Sequence, residues 1–198
     1  MNPPTVSIGL SVKNPGSSFR LALQSIFAQT YTDWELLIAD DMSTDGAYEL
    51  AGSLDDPRVC VMRDGREMSL NIRLNELVQR ARGKYFVRMD ADDVMHPERI
   101  ARQVRALEES GPDTVVGSSC YLIDTDSVVV GFRAGEARQL SGYAARRSFT
   151  HPTVAAYTEW FRRNPYAERF PYARAEDSEL WCRTAATSKF RVLPEPLL

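Results

Sequence analysis

The stretch FVRMDADDVMHP, Phe86 to Pro97, puts three carboxylates, Asp90, Asp92 and Asp93, within four residues. An Asp-x-Asp at the end of a strand offers hard oxygen ligands. Mg²⁺ and Mn²⁺ suit such a set and keep open positions for water and for substrate phosphates. A dication held there would offset charge on a diphosphate leaving group. The plainer alternative is a solvated loop in which Asp93 caps the helix that begins near Pro97. A calcium loop of the EF-hand type does not fit, because the sixth place holds no glycine and the loop runs into Pro97. A phosphatase nucleophile would follow the first strand, and SIGLSV carries no acid.

Two further acid groups stand apart from this one. Asp40 and Asp41 close the run WELLIADD. A carboxylate there can accept a hydrogen bond from a base N–H or a ribose hydroxyl, or it can cap the next turn. Far downstream, AEDSELWCR sets Glu176 and Asp177 where a helix begins, a place that favours negative charge. A plain helix start accounts for them, and so does a general base that takes a proton from an attacking hydroxyl.

The elements around these groups follow from periodicity. TVSIGLSV reads as a buried strand that Asn14-Pro15-Gly16 breaks. SFRLALQSIFAQ reads as a helix with Leu21, Ile26 and Phe27 at helical spacing and Ser17 or Ser18 as its N-cap. WELLIADD is a second strand, STDGAYELAGSL a helix, RVCVMRD a short third strand. MSLNIRLNELVQRARG is helical, with Leu70, Leu74, Leu77 and Val78 on one face and Gly83 as its stop. KYFVRMDADD is a fourth strand. HPERIARQVRALEES is a helix with Pro97 in its first turn and Gly111 past its end. Strand and helix thus alternate, which predicts an α/β fold with a mainly parallel sheet and right-handed crossovers. Ligands bind such sheets beyond the carboxyl ends of the strands. Asp40-Asp41 and Asp90 to Asp93 both fall on that rim. In the second half, TVVGSSCYLID and SVVVGFRA read as strands joined through Thr125-Asp126. Residues 176–187 read as a helix with Leu180, Trp181 and Thr184 on one side. Trp160, Phe161, Tyr166, Phe170 and Tyr172 form an aromatic-rich segment read mainly as packing, and His96 is read as structural.

Composition narrows the classes. The 198 residues are 43% hydrophobic and 26% charged, ordinary for one globular domain with its own core. A net charge of -3 argues against a general nucleic-acid binder. Cys60, Cys120 and Cys182 are odd in number and widely spaced, which fits a reducing compartment rather than a disulfide framework or zinc site. No apolar run is long enough for a membrane span, and the N-terminus does not read as a signal peptide. The expected location is the cytoplasm, with peripheral attachment at the inner face of a membrane left open. The chain ends RVLPEPLL on an apolar pair, where termini are usually polar and frayed. This predicts that a C-terminal piece is missing, and such a piece could carry membrane association.

Four motifs in order carry a family resemblance: LALQSIFAQTYTDWELLIADDMSTDG, ARGKYFVRMDADDVMHPERIARQV, HPTVAAYTEWFRR and EDSELWCR. Together they resemble the inverting family 2 glycosyltransferases of the GT-A fold, from VSIGLSVKN to LPEPLL. The resemblance implies a single GT-A domain over 1–198, with a Rossmann-like nucleotide-sugar half at 1–110 and an acceptor and catalytic-base half at 111–198. It implies transfer, with inversion, from a nucleoside-diphosphate sugar, chiefly a UDP-sugar, to the hydroxyl of a glycan, a lipid-linked acceptor or a small molecule. Mn²⁺ or Mg²⁺ is the implied cofactor. Asp41 would bind the base with Asp40 beside it. Asp92 would ligate the metal, with Asp90 as second ligand or as partner of the ribose and the metal's waters. Asp93 would support the loop or cap the helix. Asp177 would be the base, Glu176 would orient it or touch the acceptor, and His151 would meet acceptor or phosphate.

The pattern departs at Lys13, where the family usually has an aromatic ring against the base. Lys13 is expected to approach a phosphate or to be a solvated loop lysine. Arg66 and Arg73 are the candidates for a pyrophosphate-facing arginine. Two rivals remain. A nucleotidyltransferase would need a glycine-rich basic loop after the first strand, and SVKNPGSSFR has one glycine. A non-catalytic relative that binds a sugar nucleotide or a partner keeps the fold but not the turnover, and intact Asp92 and Asp177 argue against it.

Overall fold

The computed structural model describes residues 3–135, 150–168 and 175–198. Strands β1 (Val6–Val12), β2 (Trp34–Asp40), β3 (Val59–Met62) and β4 (Tyr85–Asp90) alternate with helices α1 (Ser18–Phe27), α2 (Ala47–Gly52), α3 (Leu70–Arg80) and α4 (Arg99–Ser110). These match the expected order. Strands β5 (Thr114–Ile123) and β6 (Val129–Arg133) form the expected antiparallel hairpin. Then come a 3₁₀ turn (His151–Thr153), β7 (Ala155–Tyr157), α5 (Thr158–Arg163), α6 (Glu176–Thr184) and β8 (Lys189–Pro196).

One sheet runs in the order β3-β2-β1-β4-β7-β5-β6, with β8 paired to β5. The pairings β1–β2, β1–β4, β2–β3 and β5–β8 are parallel, while β7 runs antiparallel to β4 and β5. β1 lies in the middle, and its register decides the rim. Val12 stands opposite Asp40, and Ser11 opposite Asp90. Both acid clusters therefore end level with each other on either side of β1.

Helices cover both faces. Val6, Ile8, Leu10 and Val12 of β1 pack with Phe19, Ala22, Leu23 and Ile26 of α1 and with Ile100, Val104 and Leu107 of α4. On the other face, Leu74, Leu77 and Val78 of α3 pack with Phe86, Trp160, Phe161, Leu180 and Trp181. Each such side chain contributes about 1.5–3 kcal/mol of burial. The buried face of α1 is Phe19, Ala22, Leu23 and Ile26, at helical spacing, so Leu21 and Phe27 lie to the side at 40% and 37% exposure. Ser17 holds the N-cap position of α1 but makes no capping hydrogen bond with its side chain.

Trp160, Phe161 and Tyr166 are core residues, as expected; Phe170 and Tyr172 lie outside the described residues. His96 is structural. Its N–H donates to the Leu197 carbonyl and its own carbonyl accepts from Arg99 N–H. Leu197 is buried, and Leu198 accepts from Tyr121 N–H. The β5–β6 hairpin carries the most exposed apolar residues among those described, with Val130 at 64% and Tyr121 tilted against Phe132.

Gly83 corrects one expectation. α3 ends at Arg80, Ala81 turns the chain extended, and Gly83 does not adopt the left-handed conformation of a helix stop. Its role is close approach: a Cβ there would lie 2.5 Å from Ser7 N and 2.6 Å from the Val6 carbonyl carbon. Those are backbone atoms of β1 and cannot give way. Gly83→Ala is expected to lower stability by about 1–3 kcal/mol, read as a lower urea midpoint with unchanged slope. Gly52→Ala, whose Cβ would meet nothing within 4 Å, is the matched control and should not destabilise.

Candidate functional site

The loops after β1 and β2 are stitched together before any ligand arrives. Asn14, left-handed at φ 49°, takes the Thr44 N–H on its side-chain oxygen at 2.7 Å and donates its own N–H to Ser43 Oγ at 3.0 Å. Gly16 N–H donates to Asp45 at 2.8 Å. Asp40 and Asp41 sit beneath, 1% and 2% exposed. Asp40 Oδ2 accepts from Arg63 Nε at 2.6 Å and from Ser43 N–H at 3.1 Å, and Asp40 Oδ1 is buried without a hydrogen bond. Arg63 also lies over the Tyr48 ring, 4.0 Å from its centroid.

Asp41 is the more heavily tied. Its Oδ1 accepts from Met68 N–H at 2.7 Å and from Arg73 Nε at 3.0 Å, while Lys13 Nζ stands 3.4 Å from Oδ2. Lys13 also pairs with Glu67, so it is not a free loop lysine. Arg73 is buried at 3% and binds Asp64 at 3.0 Å and Glu76 at 2.8 Å as well. Its guanidinium thus ties three acids, Asp41, Asp64 and Glu76, together. Arg66 pairs with Asp64 and Glu76, with its side chain 61% exposed. The hydrogen bonds from Arg73, then those from Arg66, hold the Asp64 carboxyl well below the usual range.

The second cluster closes β4. Carboxylate oxygens of Asp90, Asp92 and Asp93 all lie within 4.8 Å of one another. Arg88, 2% exposed, grips Asp90 with both terminal nitrogens, Nη1 to Oδ2 at 2.7 Å and Nη2 to Oδ1 at 2.5 Å. Arg99 lies deeper and is fully buried. Its Nη2 donates to the Arg88 and Pro152 carbonyls at 2.7 and 2.6 Å, and its Nε to Gln103 at 3.1 Å. Burial pushes its pKa down to about 9, so it remains charged at neutral pH.

Asp93 differs from its neighbours. Its Oδ2 is buried without a hydrogen bond, and burial, followed by the charges of Asp90 and Asp92, pushes its carboxyl up to about 7. It does not cap α4, which begins at Arg99 after Glu98 and makes no side-chain capping bond. Three hard oxygen donors with one buried oxygen left over fit a small divalent cation. Of the expectation that Asp93 supports the loop or caps the helix, the capping half gives way, because α4 has no side-chain cap.

His151 is 8% exposed, and its Nε2 stands 2.8 Å from Tyr166 Oη. Burial, and then the Arg88 charge, hold it well below its ordinary pKa, so it is neutral at pH 7. Burial raises Tyr166, Arg88 opposes this, and the Asp177, Glu176 and Asp90 charges add to it. Tyr166 therefore lies within electrostatic reach of both the acid triad and the start of α6. Trp181 of α6 meets the His151 ring edge-on at 6.1 Å and stacks on Trp160 at 6.4 Å. This aromatic seam docks α6, with Glu176 and Asp177 half-buried in its first turn. Asp177 Oδ1 accepts from Ser178 N–H at 2.7 Å. A cleft of about 380 Å³ opens beside Asp92, lined by Ser17, Leu21, Val94, Ile123 and Asp124.

Arg63, Arg88 and Arg99 were not singled out by sequence. A signal existed for Arg88: a lone charge inside the buried strand YFVRMD requires a partner.

A sheet with helices on both faces and an acid-lined rim at the strand ends is the GT-A fold. Solved structures agree. Staphylococcus aureus TarS residues 1–349 is 18% identical with a TM-score of 0.77, over 98% of this chain and 59% of that one. Mannosyltransferase PcManGT from Pyrobaculum calidifontis, in complex with GDP-Man and Mn²⁺, is 19% identical with a TM-score of 0.68, over 98% and 55%. The profile of glycosyl transferase family 2 matches residues 7–170, and the chain belongs to that family. EpsE of Bacillus subtilis is 30% identical over 185 residues, 91% of this chain and 66% of its own length. The Escherichia coli UDP-Glc:alpha-D-GlcNAc-diphosphoundecaprenol beta-1,3-glucosyltransferase WfaP is 25% identical over 177 residues, 89% and 68%. This chain thus spans about two thirds of these curated relatives. No helix among the described residues is long and apolar enough to cross a membrane.

Removing Arg73 leaves Asp41 buried and without its guanidinium. Arg73→Met is expected to cost about 3–5 kcal/mol in urea unfolding, whereas Arg66→Met, at an exposed pair, should cost under about 1 kcal/mol.

Proposed function

We propose that this chain is an inverting, metal-dependent glycosyltransferase acting on a nucleoside-diphosphate sugar, chiefly a UDP-sugar. The observation that carries the reading is the acid triad at the end of β4, level with Asp40 across β1, with Tyr166 feeling the charges of both Asp90 and Asp177. The solved complexes of similar fold support it. One is TarS with UDP-GlcNAc, another PcManGT with GDP-Man and Mn²⁺. The acceptor is a hydroxyl of a glycan, a lipid-linked sugar or a small molecule. The name of WfaP, with its diphosphoundecaprenol-linked acceptor, favours the lipid-linked class and a peripheral position at the inner face of a membrane.

Each residue then has a task. Asp40, through its free Oδ1, and Asp41 meet the nucleoside, and Lys13, with a side chain 47% exposed, can leave Asp41 as the base arrives. Asp92 and the triad hold the cation, and Asp90 meets the ribose or the cation's waters. Mn²⁺ or Mg²⁺, when bound, neutralises the charge that develops on the departing diphosphate. Asp177 takes the proton of the acceptor hydroxyl as that oxygen bonds to the anomeric carbon. The bond from that carbon to the phosphate oxygen breaks on the opposite side, its electron pair leaves with the diphosphate, and the configuration inverts. Glu176 orients Asp177 or touches the acceptor. His151, buried and neutral, acts from behind through Tyr166 if it contributes to acceptor or phosphate binding.

A thermal-shift panel of UDP, GDP and other nucleoside diphosphates, with and without Mn²⁺, tests the donor site. Metal-dependent stabilisation by one of them is expected, and about 2.7 kcal/mol accrues at a hundredfold excess over Kd. A flat panel would sink the reading. Asp177→Asn should lower transfer by about 10²–10⁴-fold and leave nucleotide-induced stabilisation in place. Loss of nucleotide binding as well would make Asp177 structural.

A further inference from the structure

Pro165, Tyr166 and Ala167 follow α5 without regular secondary structure, and side chains of two helices hold their backbone. Asn75 of α3 grips Tyr166 twice. Its Nδ2 donates to the Tyr166 carbonyl at 2.9 Å, and its Oδ1 accepts from Tyr166 N–H at 2.9 Å. Asn71, one turn earlier on the same face, donates to the Ala167 carbonyl at 2.6 Å. From α6, Arg183 Nη2 donates to the Pro165 carbonyl at 2.6 Å. A chain without a ladder of its own must find such partners, and here they also fix where it lies. The Tyr166 side chain, buried, reaches His151 at 2.8 Å and stacks on Phe161 with ring centroids 6.3 Å apart. The segment is thus a bridge between α3 and α6.

The same helix serves the donor rim. Arg73 Nε donates to Asp41 Oδ1 at 3.0 Å. Two residues along a helix turn the side chain by about 200°, so α3 meets the bridge on one side and Asp41 on the other. Leu74, Leu77 and Val78 share a core with Leu180 and Trp181 of α6.

We propose that Asn75, with Asn71, is a positioning residue for transfer: the bridge at 165–167 sets α6, and with it Asp177, at a fixed place relative to Asp41. The inference rests on reading Asp177 as the base, and it adds residues that touch neither donor nor acceptor. Asparagine suits the task, because one amide supplies both the donor and the acceptor that one residue's backbone needs. Aspartate keeps only the acceptor, and leucine, of similar shape, keeps neither. A base displaced by about 1 Å costs about 10²-fold in rate, while the nucleotide end of the site keeps its contacts.

The test is a double-mutant cycle between Asn75 and Asp177 in the full chain. Turnover is followed as nucleoside diphosphate released from UDP-glucose, UDP-GlcNAc or GDP-mannose with water as acceptor. Donor-site occupancy is followed as the thermal shift with UDP or GDP in Mn²⁺. Asn75→Leu is expected to lower kcat at least about tenfold, with KM for the donor and the nucleotide shift within about twofold of wild type. In an Asp177→Asn background the same change should cost less than about twofold, since a base that is gone cannot be misplaced. Asn71→Ala, which removes one of the three bonds from α3, should show a smaller loss of the same kind. If Asn75→Leu does not fold, Asn75→Asp takes its place in the cycle.

An equal loss in both backgrounds makes Asn75 a stability residue alone and overturns the inference. So does a folded Asn75 variant that turns over donor at the wild-type rate. In both cases Asp177 stands as the base. A wild-type chain that releases nucleotide from none of the three donors, or releases it no faster than Asp177→Asn, overturns the base reading and this assignment together.

Discussion

Parallel pairing of β1 with both of its neighbours is the constraint on which the rest depends. Val12 faces Asp40 and Ser11 faces Asp90, so the two acid clusters end at one height with β1 between them. A slip of one residue would turn every β1 side chain to the other face. Val6, Ile8, Leu10 and Val12 prevent that, because they must meet α1 and α4 while Ser7 and Gly9 face the other layer. Gly9 leaves room there for the Phe86 ring, which would lie 2.2 Å from any Cβ. The hydrophobic pattern of one strand thereby sets the geometry of charged groups that lie beyond it.

The rim concentrates negative charge, and the protein answers with arginines, of which Arg73 and Arg88 are buried. Arg63 serves Asp40, Arg73 serves Asp41 and Asp64, and Arg88 serves Asp90. Each aims a carboxylate as well as neutralising it, since the guanidinium fork fixes orientation. Asp93 keeps a buried oxygen without a hydrogen bond at Oδ2, as Asp40 does at Oδ1 and Asp41 at Oδ2.

In the second half of the chain, aromatic packing docks α6, which bears Asp177. His151, Tyr166, Trp181 and Trp160 run from the turn beside β4 to α6, and Tyr166 senses charges at both ends of the seam. A neutral, buried His151 suits a packing and hydrogen-bonding role there.

Much of this was legible beforehand. Alternating apolar runs foretold β1 to β4 and α1 to α4, and turn residues foretold the β5–β6 hairpin. Asp90, Asp92, Asp40, Asp41 and Asp177 stood out as candidates because neighbouring carboxylates repel unless something shares their charge. Other elements had no local signature. β7 has three residues, Ala155–Tyr157, too few for any period. β8 contains Pro194 and Pro196, which read as breaks, yet it pairs along β5 with an irregularity at Ser118/Ser119. Gly83 looked like a helix stop and proved to be a close contact with β1. By itself the sequence determined the strand and helix periods and the acid groups that end them, because both depend on neighbours a few residues away. Which arginine meets which acid, and which carboxylate oxygens are left bare, was decided only when Arg73 reached Asp41 across 32 residues and Arg63 reached Asp40 across 23. Those pairings are set by burial and distance in space, and residue order carries no record of either.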